Sequence, residues 1–131
     1  MVKSIHHINF LVRDLNSAIP RFERVLGMSV SSTDHLDERG VDLARFKLGS
    51  SWLILVQPTK QHTVPWRHLQ EHGEGFFLLS LEVDDLSEEQ QRLGSDAFAS
   101  VPRRGLDDWL VADLDPALTA GAQFHFTQVT P

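Results

Sequence analysis

The feature that most constrains this chain is an internal repeat with an offset of 71 residues. The offset brings four pairs of identical residues into register: Val12 with Val83, Asp14 with Asp85, Leu15 with Leu86, and Gln57 with Gln128. Three pairs fall where a predicted strand gives way to a predicted helix, and the fourth falls in a late strand of each half. Identity at equivalent element boundaries indicates an internal duplication.

The first half of the chain predicts a β-α-β-β-β order. Residues 4–12 form an apolar run with partial alternation, which is typical of a strand. Asp14 is a candidate N-cap, apolar residues over 15–26 recur at helical spacing, and Gly27 ends the pattern. Pro20 removes a backbone donor inside this helix, so we expect a kink or a late start there. Further strands are predicted at residues 28–33, 41–48 and 51–57.

The second half repeats this order after a polar connector. The connector covers residues 58–74 and contains a short helical stretch near residues 66–72. Asp85 and Glu88 predict a capped helix after the next strand. The predicted strands of this half lie at residues 76–83, 97–100, 109–113 and 122–129. We therefore predict an α+β fold in one domain over residues 1–131, with modules at 4–57 and 75–129 joined by the connector.

Charge and composition argue against several classes of function. The net charge is −6 with scattered Lys and Arg, which gives no basic surface for nucleic acid. No apolar run approaches the roughly 20 residues that span a bilayer, and the N-terminus lacks a signal-peptide core, so we expect a cytoplasmic protein without a membrane partner. The chain has no cysteine, so a bound metal would need histidine, carboxylate, amide or water ligands.

Three strings of the sequence resemble the half-module signatures of the vicinal oxygen chelate superfamily: HHINFLVRDLNSAIPRFERVLGM, GEGFFLLSLEVDDL and GAQFHFTQ. This superfamily includes glyoxalase I, methylmalonyl-CoA epimerase, extradiol dioxygenases and bleomycin resistance proteins. The resemblance covers residues 4–128 and implies two tandem β-α-β-β-β modules that form a cupped mixed sheet around a cleft. It also implies metal ligands on the first and fourth strands of each module. The matching positions are His7, Ile54, Leu78 and His125, of which only the two histidines can bind a metal.

The alternation of side chains along a strand predicts which residues face the cleft. If His7 faces the cleft, Asn9, two positions further along the same strand, faces it too. The same alternation assigns every second residue of the other inner strands to the cleft. We predict catalytic roles for His7, His125 and Glu82. The predicted substrate-binding residues are Asn9, Trp52, Ile54, Leu78, Ser80 and Gln123.

His7 and His125 have three open interpretations: an incomplete divalent-metal site, hydrogen-bonded pocket histidines without catalytic work, or metal-free acid–base groups. Glu82 is either a general base with a raised pKa in an apolar cleft or a solvated carboxylate near a strand end. The other histidines are expected to be exposed: His6, His35, His62, His68 and His72. Trp66 and Trp109 are expected either to form a lid or to pack in the core or in a dimer.

Two functions follow from the resemblance and from these residues. The first is an isomerase or lyase of the glyoxalase or epimerase kind, which acts next to a carbonyl with His7 and His125. The alternative is a metal-free protein that binds or sequesters a small molecule, similar to bleomycin resistance proteins. In both cases the partner is a small organic molecule, and analogy with family members of this size implies a homodimer.

Overall fold

The computed structural model describes residues 1–129, which contain three α-helices and eight β-strands. The fold is therefore α+β, as predicted. Backbone contacts divide the chain into two compact units. One unit covers residues 8–77, and the other combines residues 1–7 with the chain from Leu78 onward. No helix of residues 1–129 is long and apolar enough to cross a membrane.

The unit over residues 8–77 is built on the strand order β2-β3-β4-β1. Its strands are the second part of β1 (Val2–Leu11), β2 (Ser32–Leu36), β3 (Val41–Leu48) and β4 (Ser51–Pro58), and its helices are α1 (Leu15–Leu26) and α2 (Val64–His72). The strand pairs β2–β3 and β3–β4 are antiparallel. Each of these two pairs joins strands that follow one another in the chain, so short turns are enough to connect them.

The helix α1 begins and ends where the sequence predicts. The Asp14 side chain accepts a hydrogen bond from the backbone N–H of Asn16, and Gly27 adopts a left-handed conformation with φ of 67° that ends the helix. The helix includes Pro20 and still begins at Leu15. Its apolar face packs on the sheet in a cluster of buried residues, namely Val12, Leu15, Ala18, Ala44, Phe46, Leu53 and Leu55.

The second unit is built on the strand order β1-β5-β8-β7-β6. Its strands are the first part of β1, the part of β5 (Gly75–Val83) from Leu78 onward, β6 (Arg103–Arg104), β7 (Leu110–Asp113) and β8 (Gln123–Gln128). The strands β5 and β8 are parallel, whereas β8–β7 and β7–β6 are antiparallel pairs. The helix α3 (Leu86–Leu93) is capped by Asp85, which accepts from the N–H of Glu88.

Two predicted strands are wrong in position. Residues 95–97 form a 3-10 turn and Phe98 makes only an isolated bridge, so the strand predicted at 97–100 does not form. The reason is that the Ser100 hydroxyl accepts the hydrogen bond from Asp113 N–H, a donor that a strand ladder would pair with a backbone carbonyl. The strand predicted at 28–33 lies at Ser32–Leu36 instead, because Met28 and Val30 pack against the α1 cluster.

The repeat appears in the structure as two equivalent side-chain contacts. Leu15 N–H donates to Gln57 Oε1 at 2.7 Å, and Leu86 N–H donates to Gln128 Oε1 at 2.8 Å. Both leucines are the first residues of helices, and each glutamine lies near the end of a strand. The same pair of residue types thus satisfies the first helical N–H in each unit, which supports the duplication. The module boundaries at 57 and 75 remain a prediction.

Candidate functional site

The candidate site begins with two adjacent histidines on β1. His6 and His7 are each only 4% exposed, so the prediction that His6 is exposed is wrong. Trp109, which directly precedes β7, covers both rings: its centroid lies 4.4 Å from that of His6 in an edge contact and 5.5 Å from that of His7 in a stacked contact. The Nδ1 atoms of the two histidines lie 2.8 Å apart, within hydrogen-bond distance.

His7 also contacts His125 on β8. Their Nε2 atoms lie 3.2 Å apart, and their ring planes are nearly perpendicular. His125 is 4% exposed, so this contact is buried as well. The structure therefore brings together the two histidines that the sequence singles out, and each ring nitrogen of His7 faces another imidazole.

An acidic residue that sequence reasoning missed lies on the far side of His125. Asp113 Oδ1 is 3.4 Å from His125 Nδ1. Asp113 and His125 are directly opposite each other in the antiparallel β7–β8 pair, and such residues share a sheet face. Both residues fall in predicted strands, but the pairing of the strands could not be read from the sequence.

Asp113 is itself held by an arginine and a serine. Arg103 Nη1 donates to Asp113 Oδ2 at 2.8 Å, and Nη2 reaches Oδ1 at 3.4 Å. The Ser100 hydroxyl accepts hydrogen bonds from Arg103 Nη1 and from Asp113 N–H. A two-pronged guanidinium contact restricts the carboxylate to one orientation.

The surroundings set the charges of two of these groups. Burial lowers the pKa of His7 well below its ordinary value, and the neighbouring His125 and His6 lower it further. Burial alone would raise the pKa of Asp113, but the close approach of His125 and the contacts with Arg103 outweigh burial and lower this pKa well below its usual range. Near neutral pH, His7 is therefore a free base and Asp113 is an anion.

Glu82 lies near the end of β5 and contacts Lys3. The Lys3 Nζ atom is 3.6 Å from Glu82 Oε2 and 3.1 Å from Asp84 Oδ1. The Glu82 side chain is 21% exposed. This ion pair gives Glu82 a cationic neighbour that the sequence analysis did not anticipate, and its role as a general base remains a prediction.

Three predicted substrate-binding residues lie in the same unit as the histidines. Leu78 and Ser80 on β5 are buried, and Leu78 is opposite the half-buried Gln123 in the β5–β8 pair. The Ser80 hydroxyl is hydrogen-bonded to that of Thr127, and both side chains are fully buried. The internal partner of Ser80 means that a ligand would compete with Thr127 for this hydroxyl.

The other three predicted substrate-binding residues lie in the unit over residues 8–77. Ile54 is buried, and the Asn9 Oδ1 atom is buried with no hydrogen-bond partner among residues 1–129. Trp52 is contacted by two cations, with Arg45 Cζ 4.7 Å and Lys47 Nζ 4.4 Å from its ring centroid. These contacts are cation–π interactions. The substrate-binding roles of all three residues remain predictions.

The remaining histidines are mostly at the surface, as predicted. His35, His62 and His72 are exposed. His68 is half-buried between His72 and Phe77, so the prediction that it is exposed is wrong.

The two tryptophans considered for a lid differ in their surroundings. Trp66 is half-buried on α2 and contacts the ring of His62. Trp109 is 7% exposed and packs on His6 and His7, which agrees with a packing role.

The donor atoms do not fit the metal site that the resemblance implies. The Nε2 atoms of His7 and His125 converge, but a zinc site usually takes at least three protein ligands and iron sites add a carboxylate. Asp113 lies against the opposite nitrogen of His125, and positions 54 and 78 carry apolar side chains. No group of three His, Cys, Asp or Glu residues suited to a metal occurs within the described part of the chain.

Comparison with known proteins gives the family. Residues 6–117 match the profile of the Glyoxalase/Bleomycin resistance protein/Dioxygenase superfamily. The chain belongs to this superfamily. The match confirms the family predicted from the half-module strings of the sequence.

Among curated proteins, this superfamily member is 27% identical over 120 residues to the uncharacterized protein YqjC of Bacillus subtilis strain 168, covering 89% of this chain and 86% of that protein. Among solved structures, methylmalonyl-CoA epimerase from Mycobacterium tuberculosis is 24% identical with a TM-score of 0.90, covering 99% of this chain and 90% of that chain. A Streptomyces coelicolor methylmalonyl-CoA epimerase variant in complex with 2-nitronate-propionyl-CoA is 22% identical with a TM-score of 0.91 over both full chains. At these identities the structural likeness establishes the fold.

Proposed function

We propose that this superfamily member is an epimerase-like isomerase that moves a proton at a carbon next to a carbonyl. The observation that carries the proposal is the buried contact between His7 and His125, whose Nε2 atoms face each other at 3.2 Å. Proton transfer at carbon needs a positioned base and a group that stabilises the enolate oxygen or returns the proton. Two imidazoles in contact supply both types of group.

The charges of the site assign a role to each histidine. His125 accepts the proton on Nε2 when the C–H bond breaks, because Asp113 beside its Nδ1 favours a proton on that nitrogen and stabilises the imidazolium that forms. The electron pair of the C–H bond becomes the enolate, and the neutral His7 donates a hydrogen bond from Nε2 to the enolate oxygen. His125 then releases its proton to water, and delivery of a proton from water to the opposite face of the carbon yields the epimer. Substrate binding replaces the direct His7–His125 contact.

The substrate class to test first is an acyl-CoA thioester with a hydrogen on the carbon next to the thioester carbonyl. This choice is supported by the fold shared with methylmalonyl-CoA epimerases, one of which has been solved in complex with methylmalonyl-CoA. A thioester carbonyl acidifies the neighbouring C–H bond, so a pair of imidazoles near neutral pH is a suitable base system. A lyase of the glyoxalase kind would share the proton abstraction but would return the proton to the neighbouring carbon of an enediolate.

A metal-free binding protein is the second candidate function. The observation that favours it is that the hydroxyl of Ser80, a predicted site residue, already has an internal hydrogen-bond partner in Thr127. In such a protein the histidines would only position a ligand.

Hydrogen–deuterium exchange separates these two functions. The protein is incubated in D2O with methylmalonyl-CoA, with propionyl-CoA and with methylglyoxal–glutathione adduct, and loss of the proton next to the carbonyl is followed by NMR. An isomerase accelerates exchange in at least one compound. Stabilisation of the protein against heating by a compound whose protons do not exchange would favour the binding protein.

The cytoplasmic location and the homodimer are part of the same proposal. They are supported by analogy with members of this superfamily. Light scattering on the purified protein measures the mass in solution and tests the dimer directly.

A further inference from the structure

We propose that Asp113 is a positioning residue that sets the tautomers of three imidazoles in series, His125, His7 and His6. The proposal deepens the proposed function, because it explains how His7 and His125 are held ready for proton transfer. Its structural part nevertheless stands independently of any reaction. All five side chains involved, including Arg103, lie in the same compact unit.

The first step is the orientation of the carboxylate. Arg103 donates to the Asp113 carboxylate, and the Asp113 backbone N–H donates to the Ser100 hydroxyl. These contacts hold Asp113 with its Oδ1 atom 3.4 Å from His125 Nδ1. A carboxylate only accepts hydrogen bonds, so it favours the His125 form that carries a proton on Nδ1. In a neutral imidazole the other nitrogen, Nε2, is then an acceptor.

The second step carries this choice to His7. His7 Nε2 faces His125 Nε2 at 3.2 Å, and two acceptors cannot form a hydrogen bond. His7 therefore donates from Nε2, which leaves its Nδ1 as an acceptor. His7 is only 4% exposed, and burial of this kind favours the neutral imidazole that the assignment needs.

The third step carries the choice to His6. His6 Nδ1 lies 2.8 Å from His7 Nδ1, so His6 donates from Nδ1. Every donor in the series thus points from His6 toward Asp113. The Trp109 ring packs on His6 and His7 and restricts their rotation, which keeps the nitrogens facing each other.

The arrangement makes a definite prediction about a spectrum. Imidazole nitrogens with and without a proton have well-separated 15N chemical shifts, so long-range 1H–15N correlation of the labelled protein at neutral pH identifies each tautomer. We expect His125 to be protonated on Nδ1, His7 on Nε2 and His6 on Nδ1. A wild-type His7 protonated on Nδ1 would overturn the proposal, because the series would then run in the opposite direction.

The variant Asp113→Asn tests whether the carboxylate is the cause. Arg103 donates hydrogen bonds, so we expect it to hold the amide oxygen and turn the NH2 group toward His125 Nδ1. His125 must then accept on Nδ1, and we expect all three tautomers to switch. Asp113→Glu keeps a carboxylate and should retain the wild-type tautomers, while Asp96→Asn removes an exposed charge in the same unit and serves as the matched control. Wild-type tautomers in a folded Asp113→Asn protein would contradict the assigned role.

A kinetic measurement links the tautomers to the proposed reaction. If the protein is an isomerase, Asp113→Asn should lower kcat by about 100-fold while KM changes little, because substrate contacts remain. An unchanged kcat together with switched tautomers would contradict the catalytic part of the proposal. A wild-type protein without exchange activity but with the expected tautomers would overturn the proposed function and leave the role of Asp113 in place.

Discussion

His7 and His125 are 118 positions apart in the sequence, yet their Nε2 atoms lie 3.2 Å apart in a buried contact. Burying polar groups is costly unless they are hydrogen-bonded, and the contacts with His125 and His6 give each ring nitrogen of His7 a partner within hydrogen-bond distance. A chain that needed only a packed core could place apolar residues at these positions. The presence of buried imidazoles at these positions therefore favours a role in proton transfer.

The first prediction concerns the pH dependence of stability. The pKa of His7 is lowered on folding, so the unfolded chain binds a proton more readily and the contribution of His7 to stability is complete only above the unfolded-state pKa of about 6.5. This contribution is lost as pH falls from there through the lower folded-state pKa. We expect urea denaturation at pH 8.0 and 5.5 to show a smaller loss of stability in His7→Gln than in the wild-type protein.

Two other histidines have shifted pKa values that must be considered in that comparison. The pKa of His35 is raised by its hydrogen bond with Asp42, so its contribution is lost as pH rises, and the pKa of His68 is lowered by burial. Both residues are present in wild type and variant, so their effects cancel in the difference. An equal loss of stability in the two proteins would show that His7 is not held neutral.

The second prediction concerns the repeated glutamine contacts. Gln57→Ala and Gln128→Ala each remove the acceptor for the first N–H of a helix, so each should lower the free energy of unfolding by about 1 kcal/mol. Chemical denaturation measures both values. The exposed Gln91 provides the control, since Gln91→Ala should change stability by less than about 0.5 kcal/mol. A large cost at one position and none at the other would argue against an equivalent role in the two units.

The third prediction concerns added metal. Two imidazoles are too few for a tight divalent site, so protein treated with chelator and then given Zn2+, Co2+ or Ni2+ should keep its Tm. Thermal unfolding with and without each ion measures this. A stoichiometric rise in Tm that disappears in both His7→Ala and His125→Ala would show that the donor set is more complete than the described residues indicate.

Much of the fold was predictable because its signals are local. The apolar spacing, the Asp14 cap and Gly27 predict the bounds of α1. The offset of 71 residues by itself relates the two glutamines that make equivalent contacts with the helices. The prediction of a strand at 97–100 was wrong because the Ser100 hydroxyl accepts a hydrogen bond from the backbone N–H of Asp113 on β7. A side chain that accepts a backbone hydrogen bond in place of a neighbouring strand leaves no periodic signal in the sequence.

The site was predictable only in part, for a similar reason. His7 and His125 were found because the resemblance aligns them with ligand positions. His6 was missed because strand alternation assigned it to the other face, and its burial depends on Trp109 from far along the chain. Asp113 was missed because its place opposite His125 depends on the register of β7 and β8, which the sequence does not state.

The central claim is that His7 and His125 together move a proton at a carbon next to a carbonyl. The most direct measurement is the rate of deuterium incorporation at that carbon, for the acyl-CoA on which the wild-type protein is active, in the variants His7→Ala and His125→Ala. We predict that each variant slows exchange by at least about 100-fold, while His35→Ala, at an exposed histidine of the other unit, exchanges at the wild-type rate. Exchange at the wild-type rate in a folded His7→Ala protein would contradict the claim.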